Sequence, residues 1–126
     1  MALNATRYCI DAPVESHQRS VRVGLGIRRY LDANGYRAFT SNFMAVNDKS
    51  AAMNAMPFLE ACESQARGVG YCGEGDGLAA GLVGAVLQGF PDTAFTEIFC
   101  AEWKSDILVL SHMGEFNPRI AAEKPV

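Results

Sequence analysis

Apolar positions recur at helical spacing near the start of the chain. Within residues 16–34 they lie about one helical turn apart, at Val23, Ile27, Tyr30 and Leu31. Arginines occupy mostly the other positions, so the pattern predicts an amphipathic helix. Gly35 follows the last apolar residue, where a left-handed cap is expected. The aromatic and β-branched residues after it predict a strand.

Two further helices are predicted downstream. The polar residues 47–50 predict a loop, and a short helix follows between Pro57 and Gly68. Asp76 can cap a third helix over residues 77–87. Because this third helix is apolar almost all round, we expect it to be packed on every side.

The last part of the chain predicts two strands, TAFTEIFCA at 93–101 and DILVLSH at 106–112. The second is a continuous apolar run, which is typical of a strand covered on both faces. Alternating helices and strands therefore predict an α/β fold. Residues 1–13 are weakly periodic and predict an irregular segment. No closing element follows Pro118, so we interpret residues 14–126 as an α/β fragment.

Composition argues against two classes of function, nucleic-acid binding and a membrane role. The chain is 49% hydrophobic and 20% charged, with a net charge of −3, which argues against a nucleic-acid partner. The longest apolar run, residues 77–90, is too short to span a bilayer, so no membrane role is expected. The four cysteines are widely spaced and predict reduced thiols in a cytoplasmic protein.

The glycine-rich segment GVGYCGEGDG, residues 68–77, is the first candidate site. Its glycines let the backbone approach a ligand and allow a loop to present Glu74 and Asp76. Two alternatives stay open. The segment matches the dinucleotide motif G-x-G-x-x-G, which requires a strand directly before Gly68. It also matches a simple tight turn in which Asp76 is only a helix cap.

Glu97 and His112 are the other candidates. Glu97 shares one strand face with Phe95 and Phe99, where a carboxylate is costly unless it is paired or binds a metal. The alternative is an edge strand on which Glu97 meets solvent or a lysine. His112 ends an apolar strand, where α/β sheets place ligands, although a histidine there is often structural. His17, by contrast, is predicted to be a solvated surface residue.

Glu74, Glu97 and His112 together form a donor set that suits Mn²⁺ or a similar divalent ion. Their spacing alone does not require them to converge. The motifs GEGD (73–76), FTEIF (95–99) and SHMGEFNPRIAAEKP (111–125) resemble, in this order, the L-fucose and L-arabinose isomerase family, and its arabinose branch most closely. GIRRYLDANGYRAFTSNF (26–43) is a weaker match, and the resemblance extends over about residues 14–126.

The resemblance implies a partial sugar-isomerase scaffold that lacks its flanking N-terminal and C-terminal regions. In that family a divalent ion, usually Mn²⁺, is held by two glutamates and two histidines. Matching the motifs implies that Glu74, Glu97 and His112 are three of these ligands, with the second histidine beyond residue 126. It also implies that Glu74 and Glu97 are the acid–base pair and that Phe43 and Asp76 bind the substrate.

The implied reaction interconverts an aldose and a ketose, and the implied partners are a free sugar and further copies of the chain in a homo-oligomer. With one ligand absent, we expect this chain by itself to be inactive. Gly77 stands where arabinose isomerases usually have an aromatic residue, and TEIF and HMGE also depart from their pattern, so the sugar stays open. The alternative is a non-catalytic sugar-binding or oligomer-assembly module on the same scaffold.

Overall fold

The computed structural model of the protein describes residues 7–46, 55–112 and 114–125. Helices and short strands follow one another along this part of the chain, which confirms the predicted α/β class. In order they are α1 (Val14–Asn34), β1 (Ala38–Thr40), α2 (Phe43–Val46), α3 (Phe58–Ala66), β2 (Gly70–Cys72), α4 (Gly77–Leu87), β3 (Glu97–Glu102), β4 (Ile107–Ser111) and a 3-10 turn (Pro118–Ile120).

The three long helices lie where the sequence predicts them. α1 ends at Gly35, whose φ of 67° is the expected left-handed cap. α4 begins after Asp76, whose Oδ1 accepts a hydrogen bond of 2.8 Å from the backbone N–H of Ala79. The loop predicted at 47–50 lies outside the described residues.

β1 and β2 form a parallel pair, with Ala38 opposite Gly70 and Thr40 opposite Cys72. α4 packs directly on this pair because glycines face each other there. A Cβ on Gly70 would lie 2.2 Å from the carbonyl oxygen of Ala80, and a Cβ on Gly84 only 2.8 Å from that of Arg37. The missing side chains thus let the helix backbone approach the strand backbone closely.

β3 and β4 form a separate antiparallel hairpin, with Glu97 opposite Ser111 and a bulge between Ile98 and Cys100. Every residue of β4 is exposed, so the expectation of a strand covered on both faces is wrong. The expectation that α4 is packed on every side is also wrong, since Leu78 is 91% exposed. Apolar composition shows that a surface can be buried, but a packing partner must be present to bury it.

α1 packs on α3 around a buried carboxylate. Glu60 is only 3% exposed and accepts hydrogen bonds from Arg28 Nη2 at 2.7 Å, Arg67 Nη2 at 2.6 Å and Ser64 Oγ at 3.0 Å. Gly24 of α1 makes room for it, because a Cβ there would lie 3.0 Å from the Glu60 Cβ. A buried carboxylate with several charged donors is compatible with a stable core.

The start of the described chain is attached to α3 in a similar way. Glu63 accepts hydrogen bonds from Arg7 Nη1 at 2.6 Å and from the hydroxyl of Tyr8 at 2.8 Å. Burial, together with the bond to Glu63, raises the pKa of Tyr8. The backbone N–H of Cys9 donates to the carbonyl of Pro125 at 2.7 Å. The two ends of the described chain therefore meet beside α3.

The fold decides one of the open alternatives for the glycine-rich segment. The dinucleotide motif required a strand directly before Gly68, but α3 lies there and ends at Ala66, so that alternative is excluded. Among the described residues, every helix is too short or too polar to cross a bilayer.

Candidate functional site

A cavity of about 580 Å³ opens where the parallel pair β1–β2 ends and the open end of the β3–β4 hairpin faces it. Aromatic side chains form much of its wall, namely Phe43, Phe58, Phe95 and Phe99. Polar side chains from four separate parts of the chain also line it, namely Glu74, Asp76, Glu97, His112 and Glu115. All five residues predicted from the sequence, Phe43, Glu74, Asp76, Glu97 and His112, are therefore in one place.

The loop that carries Glu74 is held by the end of β1. Thr40 Oγ1 donates to the carbonyl of Gly73 at 3.3 Å and accepts from the backbone N–H of Gly75 at 3.0 Å. Glu74 itself has a φ of 60°, a left-handed conformation that costs a residue with a Cβ about 1–3 kcal/mol. The loop is thus stabilised in a conformation that exposes Glu74 to the cavity.

The hairpin register brings Glu97 and His112 to the same end of the cavity. Glu97 lies opposite Ser111, the residue before His112, and Thr96 Oγ1 donates to the Ser111 carbonyl at 3.0 Å. The rings of Phe95 and His112 meet edge to face with centroids 5.2 Å apart. The predicted clustering of Phe95, Glu97 and Phe99 along one face agrees with this wall.

Phe43 and Asp76 also line this cavity. Phe43, at the first residue of α2, packs edge to face on Phe58 with centroids 5.8 Å apart. Asp76 caps α4 through Oδ1 and also lines the cavity, so the helix-cap alternative holds without removing Asp76 from the site. The substrate-binding roles of both residues stay predictions.

Glu115 lies in the same cavity, and the pattern analysis missed it. It is 2% exposed, and its Oε2 is buried without a hydrogen-bond partner among the described residues. Burial raises the pKa of Glu115, while the Tyr71 hydroxyl and the charge of His112 oppose this shift. The sequence feature that could have indicated Glu115 is its position three residues after His112, inside the motif SHMGEF.

Cys72 also borders the cavity as a buried thiol. Burial is the main reason that its pKa is raised, and the nearby carboxylates Asp76 and Glu97 add to the effect. A thiol with a raised pKa stays protonated at neutral pH and is a poor nucleophile. The groups in this cavity that can exchange protons near neutral pH are therefore its carboxylates and the imidazole of His112.

The donor set can be tested against a divalent cation. Two carboxylates and an imidazole suit Mn²⁺ chemically, and His112 Nδ1 is buried without a partner in the described part of the chain. Among residues 7–46, 55–112 and 114–125, however, no three His, Cys, Asp or Glu side chains are close enough to share an ion. The donors fit the ion in kind and line one cavity, and binding of an ion would require them to move closer together.

His17 differs from the expectation of a solvated residue. It is half-buried, its Nε2 has no partner within the described ranges, and it lines a second cavity of about 370 Å³ with Tyr8, Cys9 and Cys62. The segment before α1 covers it, and the helical pattern of α1 gives no information about that contact.

The known proteins that this chain resembles are L-arabinose isomerases. The family model described as the L-arabinose isomerase central domain matches residues 5–88. The L-arabinose isomerase of Clostridium beijerinckii is 33% identical over the whole chain, which covers 26% of that protein. L-arabinose isomerase 1 of Bacillus licheniformis is 34% identical over 91% of the chain and 23% of its own length.

The L-arabinose isomerase of Oceanobacillus iheyensis is 36% identical over 91% of the chain and 25% of its own length. The chain thus spans about a quarter of the length of these relatives. These matches confirm the resemblance that three short motifs indicated. The chain belongs to the L-arabinose isomerase family.

Proposed function

We propose that this chain forms part of the active site of an aldose–ketose isomerase, with L-arabinose as the first candidate substrate. The observation that carries the proposal is that Glu74, Glu97 and His112, which are far apart in sequence, line one aromatic-walled cavity. Family membership and the names of the relatives support a sugar substrate.

Glu74 and Glu97 are proposed as the acid–base pair. The reaction moves a proton between the two adjacent carbons that become carbonyl and alcohol, through an enediol. One carboxylate takes the proton from the carbon of the substrate alcohol, and a proton returns to the neighbouring carbonyl carbon. The O–H proton of the alcohol passes in the same reaction to the former carbonyl oxygen, so that atoms and charge balance. Glu74 and Glu97 belong to different structural elements, so they can approach a sugar in the cavity from different sides.

We further propose that Glu74, Glu97 and His112 hold a divalent ion, Mn²⁺ by preference. When bound, such an ion polarises substrate oxygens and stabilises developing negative charge. The phenylalanine wall, for which Phe43 is the predicted contact, would exclude water and pack on the C–H face of the sugar.

The test uses the natural full-length protein, freed of metal with a chelator and then supplied with Mn²⁺. We expect ketose formation from L-arabinose with Mn²⁺ and at least about tenfold less without it. A panel of other pentoses and deoxyhexoses would reveal a different sugar preference. Failure to convert any of these sugars, with Mn²⁺ bound, would contradict the proposal.

A second candidate is a non-catalytic sugar-binding or oligomer-assembly module. It is favoured by the absence, within the described residues, of a preformed group of three metal donors. The same observation supports the proposal that these 126 residues alone have no isomerase activity. Sugar binding without turnover by the full-length protein would favour this candidate, and light scattering would test the proposed homo-oligomer.

A further inference from the structure

The β3–β4 hairpin carries two of the proposed active-site residues. Glu97 begins β3, and His112 directly follows β4. The two strands pair with each other, and every residue of both is at least partly exposed. Glu74 lies on a different loop, which is fixed to the end of β1 by Thr40. Because so little of the hairpin is buried, its orientation depends on the chain segments that lead into it and out of it.

Asn117 joins these two segments. Its Nδ2 donates to the carbonyls of Pro91 and Thr93, both at 2.9 Å, in the segment that leads from α4 into β3. Its Oδ1 accepts a hydrogen bond of 3.1 Å from the backbone N–H of Arg119 and so caps the 3-10 turn that follows β4. One side-chain amide therefore connects the chain before the hairpin with the chain after it.

The amide of Asn117 is buried and its hydrogen-bonding groups are all engaged. The residue is 0% exposed. An asparagine amide has two N–H donors and a carbonyl acceptor, and each of these has a partner in the structure. A buried polar group whose partners are all present restricts the segments that it joins. We therefore regard Asn117 as the main connection at the base of the hairpin.

A second connection crosses the same base, but it lies in solvent. Arg119 Nε donates to Asp92 Oδ1 at 2.9 Å, and the two side chains are 48% and 67% exposed. Ion pairs with this exposure contribute little to stability. Since this ion pair and the Asn117 amide join the same two segments, the ion pair provides an internal control for the amide.

The turn that carries Asn117 is also attached to the body of the fold, because it packs on α3. From this turn the Asn117 side chain reaches Thr93. Thr93 shortly precedes Phe95, whose ring packs edge to face on that of His112 with centroids 5.2 Å apart. A shift at the base of the hairpin would therefore move the His112 imidazole relative to the loop of Glu74.

We propose that Asn117 is a positioning residue, which closes the base of the β3–β4 hairpin and thereby sets where Glu97 and His112 lie in the cavity. Asn117 acts through the hairpin and is not among the residues that line the cavity. A displacement of about 1 Å can lower a rate about a hundredfold even when the substituted residue is far from the chemistry. This inference rests on the proposed isomerase function and adds a residue on which that site depends.

The experiment compares two variants of the natural full-length protein. Asn117→Ser keeps a hydroxyl that can cap the 3-10 turn but is too short to reach Pro91 and Thr93. Asn117→Asp keeps the shape and the cap and removes both N–H donors. We expect each variant to bind Mn²⁺ about ten- to hundredfold more weakly, as measured from the paramagnetic resonance signal of the free ion. The kcat should fall about tenfold, and the hairpin amides should exchange hydrogen faster while those of α1 do not.

Two control variants separate position from stability. Arg119→Gln removes the exposed ion pair across the same base, so Mn²⁺ affinity and kcat should stay at the wild-type level. Glu60→Gln weakens the contact between α1 and α3, and its Mn²⁺ affinity should also stay unchanged at a temperature where the variant is folded. If Glu60→Gln loses as much Mn²⁺ affinity as the Asn117 variants, lost stability explains the effect and the inference is wrong.

The other outcomes separate this inference from the proposed function. Wild-type Mn²⁺ affinity and kcat in both Asn117 variants of an active enzyme would overturn the inference alone, even if their hairpins exchange hydrogen faster. Weaker Mn²⁺ binding by these variants of a protein without turnover would support the positioning role while refuting the isomerase. If the unsubstituted protein neither binds Mn²⁺ nor isomerises any sugar, the inference and the proposed function are both wrong.

Discussion

Two groups of glutamates in this molecule differ in their hydrogen-bond partners. On α3, Glu60 and Glu63 are buried and surrounded by donors, among them Arg28, Arg67 and Arg7. In the cavity, Glu74 and Glu97 are exposed, and Glu115 Oε2 has no hydrogen-bond partner among the residues that the structure describes. The fold has arginines available for carboxylates, yet all of these arginines lie on the α3 side.

We interpret the difference as one between structural carboxylates and those that are proposed to be functional. Pairing lowers the cost of burying a charge and makes the pair a connection between elements, as between α1 and α3. A carboxylate that already accepts hydrogen bonds from the protein, however, has fewer free lone pairs for a substrate or an ion. The cavity carboxylates keep theirs, and the fold offsets the cost through local supports such as Thr40 and Tyr71.

The largest expected effect is on the chemistry of the cavity. Glu97→Gln, and separately Glu74→Gln, should lower turnover of the full-length protein by a factor of about 10² to 10⁴, because an amide cannot transfer the proton. Steady-state ketose formation measures this, and Mn²⁺ affinity should fall as well. An unchanged rate in either variant would remove that residue from the site.

On α3 the same substitution should act on stability instead. Glu60→Gln removes the charge that Arg28 and Arg67 share, and both arginines are about a third exposed, so we expect a loss of about 2–3 kcal/mol in the free energy of unfolding. Urea denaturation measures it. Turnover at a temperature where the variant is folded should be close to wild type, and a catalytic defect there would contradict the comparison.

A smaller effect is expected where the fold supports Glu74. Thr40→Val removes the hydroxyl that bonds to Gly73 and Gly75, so the loop should lose its orientation and kcat/KM should fall about tenfold. Thr40→Ser keeps the hydroxyl and is the matched control. If valine and serine variants are equally active, the loop does not depend on this contact.

The smallest effect concerns the pH dependence of stability. Burial raises the pKa of Glu115 in the folded state, so its stabilising effect is full below the unfolded pKa of about 4.3 and is lost as pH rises through the folded pKa. Glu115→Gln should therefore stabilise the protein at pH 7 by about 0.5–1 kcal/mol. Urea denaturation at pH 7 and at pH 4 should show that this gain in stability is smaller at pH 4. An equal difference at the two pH values would contradict the raised pKa of Glu115.

Local patterns predicted the local features well. Periodicity and caps located α1 and α4, and Gly35 and Asp76 mark their ends as expected, because helix termini are set by residues within one turn. Alternation predicted that Phe95, Glu97 and Phe99 share a wall. Periodicity proposed four candidate residues, namely Glu74, Asp76, Glu97 and His112. The motif resemblance gave each of them a role and added Phe43.

Tertiary structure alone decided which apolar surfaces are covered and which carboxylates have hydrogen-bond partners. The apolar run of β4 and the apolar surface of α4 did not reveal that both have exposed faces, because burial depends on what packs against them. Nor did the sequence distinguish Glu60 from Glu115, since both are glutamates beside apolar residues. In the folded chain, Glu60 accepts hydrogen bonds from three side chains. Glu115 instead lines the cavity, and its Oε2 has no partner among the described residues.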